Sequence, residues 1–174
     1  MLREVNQIMS IKFIQNVDKA IEVMRDAGKW LKESGKKPSK WWQLKNLNRK
    51  FLFQYAKPNE FYVGLIDGKP AVAAIFQINQ NAQDWKSVDK NKPNPALYIH
   101  WLCVNRDFSG KNLSKYMINF AVKKAREQNI KFLRVDTNAE EVKLRKIYEK
   151  LGFTLMAVEQ EDYRKTVFYQ MATD

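Results

Sequence analysis

Hydrophobic and polar positions follow two periods along the middle of the chain. Residues 97–104 form an apolar run rich in aromatic and β-branched side chains, which is typical of a buried strand. Further along, Leu113, Met117, Phe120 and Ala121 recur at helical spacing. The pattern therefore predicts a strand that leads into a helix across residues 105–112.

The upstream half predicts one strand, two helices and a hairpin. Ile11 to Val17 has the pattern of a short strand, and Asp18 is a suitable N-cap for a helix that ends at Gly35. A second helix is expected to begin at Pro38-Ser39, and its apolar face comprises Trp41, Leu44, Leu47, Phe51 and Tyr55.

Two apolar segments follow, joined by a short turn. Phe61 to Ile66 and Pro70 to Ile78 flank Asp67-Gly68, which is a hairpin signal. The polar stretch Gln80 to Pro95 is expected to be a long loop. Loops of this length in compact domains are often functional.

The last third predicts another strand and helix. Phe132 to Thr137 has strand character, and Leu144, Ile147, Tyr148 and Leu151 form one face of a helix that Gly152 ends. The order of elements becomes β, α, α, β, β, β, α, β, α, β, β, with residues 97–104 and 131–136 as parallel neighbours joined by a right-handed crossover.

The turn at residues 108–114 is the candidate binding element. A helix N-terminus offers unpaired N–H groups and a partial positive charge, so small residues there let a phosphate approach the backbone. Gly110 and Ser114 leave that room, while Lys111 and Lys115 add positive charge. The turn therefore predicts a site for a phosphorylated cofactor.

The segment from Asp136-Thr137-Asn138 to Arg145–Phe153 resembles the closing motif of the GCN5-related N-acetyltransferases (GNAT), which ends in Tyr-Glu-Lys-Leu-Gly-Phe. The resemblance implies a mixed α/β sheet of the GNAT acyl-CoA N-acyltransferase type. It implies that Tyr148 lies near the coenzyme A sulfur and protonates the departing thiolate. It also implies cofactor contacts from Leu102, Val104, Ser109, Gly110, Lys111, Asn112, Leu113, Ser114 and Asn138.

The chain departs from the family pattern at four positions. Ser109 stands where the family usually has Arg or Gln, Asn112 where it has Gly, Ser114 where it has Gly or Ala, and Glu141 where an Asn commonly contacts the cofactor. Asn tolerates left-handed backbone and Ser is small, so the turn can keep its shape. Tyr148 by pattern alone also fits a packing aromatic.

The sequence indicates less clearly which residues would bind the acceptor amine. His100 lies on the strand that in the family lines the acceptor site, and it is either a base for an ammonium proton or a structural histidine. Trp41 and Trp42 either stack on an acceptor or pack in the core. Cys103 has no activating partner in sequence and is expected to be an inert strand residue.

Composition sets the remaining bounds. The 174 residues with 45% hydrophobic content suit one domain over 1–174, with Met1 to Ser10 as a flexible extension. A single cysteine and a single histidine argue against a metal site. The chain has no long apolar run and no signal-peptide core, so we expect a cytoplasmic protein that does not bind membranes.

The resulting hypothesis is an N-acetyltransferase, acting as a monomer or homodimer, that moves an acetyl group from acetyl-CoA directly to a primary amine. A non-catalytic CoA-binding module of the same fold is one alternative. The net charge of +12 keeps a nucleic-acid-binding protein as another, although the basic residues are scattered and a solvated basic surface explains them as well.

Overall fold

The computed structural model describes residues 9–78, 85–90 and 95–174. Its strands are β1 (Lys12–Gln15), β2 (Phe61–Ile66), β3 (Lys69–Gln77), β4 (Ala96–Val104), β5 (Phe132–Asn138), β6 (Thr154–Gln160) and β7 (Lys165–Ala172). Its helices are α1 (Val17–Glu33), α2 (Arg49–Leu52), α3 (Lys86–Asp89), α4 (Leu113–Glu127) and α5 (Val142–Lys150).

The strands form one mixed sheet in the order β1-β2-β3-β4-β5-β7-β6. β4 and β5 are parallel neighbours, from Ala96 opposite Phe132 to Tyr98 opposite Arg134, which confirms the predicted pairing. β5 pairs antiparallel with β7 over its whole length, and β6 pairs antiparallel with β7. The mixed α/β fold class is thereby confirmed.

Backbone contacts divide the chain into two compact units. The first contains the chain up to Ala73 together with Cys103–Leu113, and the second contains Ala74–Leu102 together with Ser114–Asp174. The prediction of a single domain over 1–174 stays a prediction.

In the first unit, α1 is amphipathic and buries one face. Its buried residues recur at helical spacing and are Ala20, Ile21, Val23, Met24 and Gly28. The predicted N-cap at Asp18 was wrong, because the Asn16 side chain accepts the hydrogen bond from the Lys19 amide at 2.9 Å. Asp18 lies in the first turn and instead forms an exposed ion pair with Arg49 at 2.7 Å.

The predicted second helix is also wrong. A 3₁₀ turn at Lys40–Trp42 and the short α2 occupy that region in place of one continuous helix. Asparagine side chains divide the segment, because Asn46 Nδ2 donates to the Lys40 carbonyl at 2.7 Å and Asn48 Oδ1 accepts from the Phe51 amide at 3.0 Å. Asn48 thereby begins a new helix where the apolar spacing suggested an uninterrupted one.

The hairpin prediction was correct. β2 and β3 are neighbours in the sheet, and Asp67 and Gly68 between them both have positive φ, at 49° and 76°. Two consecutive residues of positive φ are characteristic of a two-residue hairpin turn of type I′.

Part of the segment predicted as a long loop is helical. Residues 86–89 form α3, whereas 80–84 and 91–94 lie outside the described residues, as do residues 1–8 of the expected N-terminal extension. In the second unit Trp85 packs with Ala96, Tyr98 and Phe168 in a buried cluster. No helix in the described part of the chain is both long and apolar enough to cross a membrane.

Candidate functional site

β4 and β5 separate after three paired residues, all within the second unit. The parallel register ends at Tyr98 opposite Arg134, so from Ile99 onward β4 has no β5 partner. Trp101 has φ of +48°, a left-handed conformation that is rare for a bulky residue and interrupts the regular strand geometry. The interruption leaves a strand edge that faces a gap in the parallel pairing.

The turn after β4, in the first unit, has the features of an anion site. Gly110 and Asn112 have left-handed backbones, with φ of 82° and 55°, and residues 109–112 are exposed. The predicted tolerance of Asn at this position agrees with its observed conformation. Within the described residues, no hydrogen bond occupies the backbone N–H groups of Gly110, Lys111, Asn112 and Leu113. Four consecutive donors are therefore open to a ligand.

Contacts within the first unit fix the start of this turn. The Asn105 amide donates to the Ala71 carbonyl at 2.8 Å, and the Asn105 side chain accepts from the Asp107 amide at 3.0 Å. From α1, the Asp26 carboxylate accepts a hydrogen bond from the Arg106 amide at 2.8 Å. The Arg106 guanidinium lies 4.1 Å from the centroid of the Trp30 ring. The turn is therefore pre-organised.

In the second unit Tyr148 is 5% exposed and packs against Phe153 and Tyr169, with ring centroids 5.6 and 6.0 Å away. Burial raises the pKa of Tyr148, and the negative charge of Asp136 raises it further. No described residue accepts a hydrogen bond from its hydroxyl.

Two buried aromatic residues of the second unit have a polar atom without a hydrogen-bond partner among the residues that the structure describes. Trp85 Nε1 is the one fully buried side-chain N or O atom without a partner in the described part of the chain. The Tyr148 hydroxyl, on a residue that is 5% exposed, also has no acceptor among the described residues. The Tyr148 proton is therefore not engaged by another described residue.

Polar contacts hold the junction between β5 and α5. Asn138 Oδ1 accepts from the Glu140 amide at 3.1 Å, and Arg145 donates to the Ala139 carbonyl at 3.0 Å. Arg145 also donates to the Tyr169 hydroxyl at 3.1 Å, which in turn donates to Glu149 at 2.8 Å. These bonds set the orientation of α5 and of Tyr148 upon it.

Asp136, on β5, is held by Arg164. Its Oδ2 atom accepts from the Arg164 guanidinium at 2.8 Å, and the two side chains are 20% and 17% exposed. The sequence pattern did not single out Asp136 as an influence on Tyr148, because the two residues are twelve positions apart and belong to different elements.

The remaining predicted site residues have varied surroundings. In the second unit, His100 and Leu102 are half-buried on β4, and the His100 and Trp101 rings lie 6.2 Å apart. Ser114 is half-buried on α4. In the first unit Val104 is half-buried, whereas Leu113 is 2% exposed, so Leu113 offers its amide rather than its side chain.

Trp41 and Trp42 are both half-buried, and neither is part of the buried core. The Trp41 ring lies edge-on to Tyr55 at 4.9 Å and near Phe51 at 6.1 Å, while the Lys40 ammonium lies 4.5 Å from its centroid. Trp41 therefore belongs to a surface aromatic cluster.

Cys103 is buried, and burial is the main cause that raises the pKa of its thiol, with the charge of Asp26 as the second. A protonated thiol is a poor nucleophile. Among the described residues, no group of three or more His, Cys, Asp or Glu side chains is arranged to hold a metal ion.

The chain has clear relatives among known families and structures. The sequence model of the Acetyltransferase (GNAT) family matches residues 18–153. None of the curated proteins matches the chain in sequence.

Three solved structures represent the structural similarity. An acetyltransferase of the GNAT family from Listeria monocytogenes 4b F2365 is 26% identical, with 94% of each chain covered and a TM-score of 0.72. One from Streptococcus agalactiae 2603 is 18% identical, with 97% of each chain covered and a TM-score of 0.73. The PaiA N-acetyltransferase from Thermoplasma acidophilum, solved with coenzyme A, is 17% identical, with 94% of this chain and 99% of that chain covered and a TM-score of 0.66.

Proposed function

Since the chain belongs to the GNAT family of acetyltransferases, we propose that it transfers the acetyl group of acetyl-CoA directly to a primary amine. The observation that carries the proposal is the series of four open backbone N–H groups at Gly110–Leu113. The oxygens of a pyrophosphate can accept hydrogen bonds from these N–H groups, and the positive end of a helix favours the negative charge of the pyrophosphate. Lys111 and Lys115 strengthen the attraction.

The separated strand edge supports the binding of the rest of the cofactor. Because β4 has no β5 partner beyond Tyr98, its backbone can pair with the amides of the pantetheine arm, at Leu102 and Val104. A strand N–H near the thioester then stabilises the oxyanion that forms when the carbonyl is attacked.

The transfer proceeds through bond changes that this site can assist. An ammonium cannot attack, so His100 or a water molecule first takes a proton from it. The amine nitrogen then forms a bond to the thioester carbon, the C–S bond breaks, and the sulfur leaves as a thiolate. The Tyr148 hydroxyl gives its proton to that sulfur.

The surroundings of Tyr148 suit the role of acid. Its raised pKa keeps the phenol protonated at neutral pH. Burial penalises a thiolate formed beside it in the same way, which restores the driving force for the proton transfer. Because no described residue accepts a hydrogen bond from the hydroxyl, its proton is free for the sulfur.

A coupled assay tests the proposal. Purified protein is mixed with acetyl-CoA and a panel of polyamines, aminoglycosides, amino acids and peptides, while thiol release and product mass are followed. We expect thiol release that requires an amine and adds one acetyl group to it. Tyr148→Phe keeps the ring packing and should lower turnover roughly 10- to 1,000-fold. Acetyl-CoA binding without turnover on any amine would instead favour a non-catalytic CoA-binding module.

A further inference from the structure

A surface groove of about 540 Å³ lies in the first unit, between α1 and the segment that follows it. Its apolar lining comes from Gly28, Pro38 and Leu44, and its charged lining from the side chains of Lys32, Lys37 and Lys45. We refer to it as the lysine groove. None of these residues belongs to the turn after β4 or to the surroundings of Tyr148.

Close packing forms the groove. A Cβ atom at Gly28 would lie 2.7 Å from Leu47 Cδ1 and 3.0 Å from the Trp42 carbonyl oxygen, so only glycine lets this segment approach α1 so closely. Arg25 then holds the segment by donating to the Leu44 and Leu47 carbonyls at 3.0 and 3.2 Å. The groove is therefore present before any ligand binds, which lowers the entropic cost of binding.

The charge around the groove is strongly positive. Residues 28–45 contain six lysines and one glutamate, Glu33, which lies 3.9 Å from Lys29. Lys32, Lys37 and Lys45 are exposed, and none of them forms an ion pair with a described residue. The groove thus presents three uncompensated ammonium groups beside an apolar surface, and it favours an anionic ligand with an apolar part.

The residue types that line the groove favour one class of anionic ligand, acidic peptides, over nucleic acids. Single-stranded nucleic acids are commonly bound through base stacking on aromatic rings, together with Lys and Arg contacts to the phosphates and stacking by Arg. The described residues that line the groove include no aromatic residue and no arginine. A phosphate backbone has no group that would fill the apolar surface of Leu44 and Pro38, whereas an aliphatic side chain flanked by carboxylates matches both the apolar surface and the ammonium groups.

We propose that the lysine groove binds an acidic peptide segment, with an aliphatic side chain against Leu44 and Pro38 and carboxylates at Lys32, Lys37 and Lys45. The proposal does not depend on acetyl transfer, because peptide binding is measured directly. Such a site gives the protein a contact with a partner through residues other than those proposed to handle acetyl-CoA.

Fluorescence anisotropy tests this with a labelled peptide in which one leucine lies between glutamates and aspartates. Its comparison probes are the Gln/Asn version, the version with glycine for leucine, and a single-stranded oligonucleotide of equal charge. The protein variants are the triple substitution Lys32→Gln, Lys37→Gln, Lys45→Gln and a matched triple of exposed lysines elsewhere, Lys123→Gln, Lys131→Gln, Lys165→Gln. Melting temperatures confirm that both variants are folded.

We expect the acidic peptide to bind more tightly than each comparison probe. The groove triple should weaken binding about tenfold, as three partly solvated charge pairs allow, and the matched triple should leave affinity nearly unchanged. Equal weakening by both triples would overturn the proposal, since net charge alone would explain it. Tighter binding of the oligonucleotide, or no binding of the peptide, would overturn it as well.

Discussion

The Asp26 carboxylate on α1 accepts a hydrogen bond of 2.8 Å from the backbone amide of Arg106, eighty residues further along the chain. This bond joins the long helix of the first unit to the turn that offers four open N–H groups. The Arg106 guanidinium over the Trp30 ring, one helical turn beyond Asp26, reinforces the same contact. The shape of the turn is therefore set from outside the turn itself.

Removing this carboxylate should weaken cofactor binding. We expect Asp26→Ala to reduce acetyl-CoA affinity about three- to tenfold, since a hydrogen bond to a charged group contributes roughly 1 kcal/mol or more. Asp26→Asn keeps an acceptor oxygen and should lose less. Isothermal titration measures both.

Asp18→Ala is the matched control, because it removes an α1 carboxylate whose partner is the exposed Arg49. Its acetyl-CoA affinity should equal that of the unmodified protein. Equal affinities of Asp26→Ala and Asp18→Ala would show that the contact with Arg106 does not shape the turn.

The Arg134–Asp89 pair should contribute strongly to stability. Arg134 is fully buried, its two terminal nitrogens donate to Asp89 at 2.8 and 2.6 Å, and its guanidinium lies 4.6 Å from the Trp85 ring centroid. Asp89→Leu leaves the arginine charge buried and unpaired, which should lower the free energy of unfolding by about 3 to 5 kcal/mol. Urea unfolding measures this change.

The double variant Asp89→Leu, Arg134→Met removes both charges and should be more stable than Asp89→Leu alone. The exposed variant Arg49→Ala should have a much smaller effect. If Asp89→Leu unfolds at the same urea concentration as the unmodified protein, the pair has no such role.

Stability should fall at alkaline pH for an identifiable reason. Burial raises the pKa of the Cys103 thiol and of the Tyr148 phenol, so the folded state keeps both protons where the unfolded chain loses them. Their stabilisation is complete below the unfolded values of about 8.5 for Cys and about 10 for Tyr, and it declines as pH rises beyond them. Each group contributes a slope of up to ~1.4 kcal/mol per pH unit.

Urea unfolding between about pH 7 and pH 11 measures this decline. Cys103→Ala should remove the part of the decline that begins near the pKa of the thiol in the unfolded chain. Tyr148→Phe should remove the part that begins near the pKa of the phenol in the unfolded chain. An unchanged pH profile in both variants would mean that the two groups titrate alike in the folded and unfolded states.

The predictable parts of the fold were those governed by local signals. Gly152 ends α5 with φ of +100°, and the Asp67-Gly68 turn joins the hairpin strands, because each depends on residues adjacent in sequence. The parallel pairing of β4 and β5 followed from the strand, helix, strand order. The prediction of a continuous helix after Pro38 was wrong, because apolar spacing does not reveal that the side chains of Asn46 and Asn48 form hydrogen bonds with the backbone.

Some features of the candidate site were likewise predictable from local sequence, and others were not. Gly110 and Asn112 were recognisable as residues suited to left-handed backbone in a turn before a helix. The left-handed Trp101 was not, because its apolar neighbours look like an ordinary strand. The contacts of Asp26 with Arg106 and of Asp136 with Arg164 join residues far apart in sequence, and no local pattern specifies which charged side chains will meet.

Calorimetric titration of acetyl-CoA tests whether the turn at Gly110–Leu113 binds the pyrophosphate of this cofactor. Gly110→Glu should abolish binding through bulk and like charge. Gly68→Glu is its matched control, because both glycines have left-handed backbones with open space around the missing Cβ. We expect binding by the unmodified protein and by Gly68→Glu, and none by Gly110→Glu. Equal binding by all three, or no binding by the unmodified protein at up to about 1 mM acetyl-CoA, would contradict this expectation.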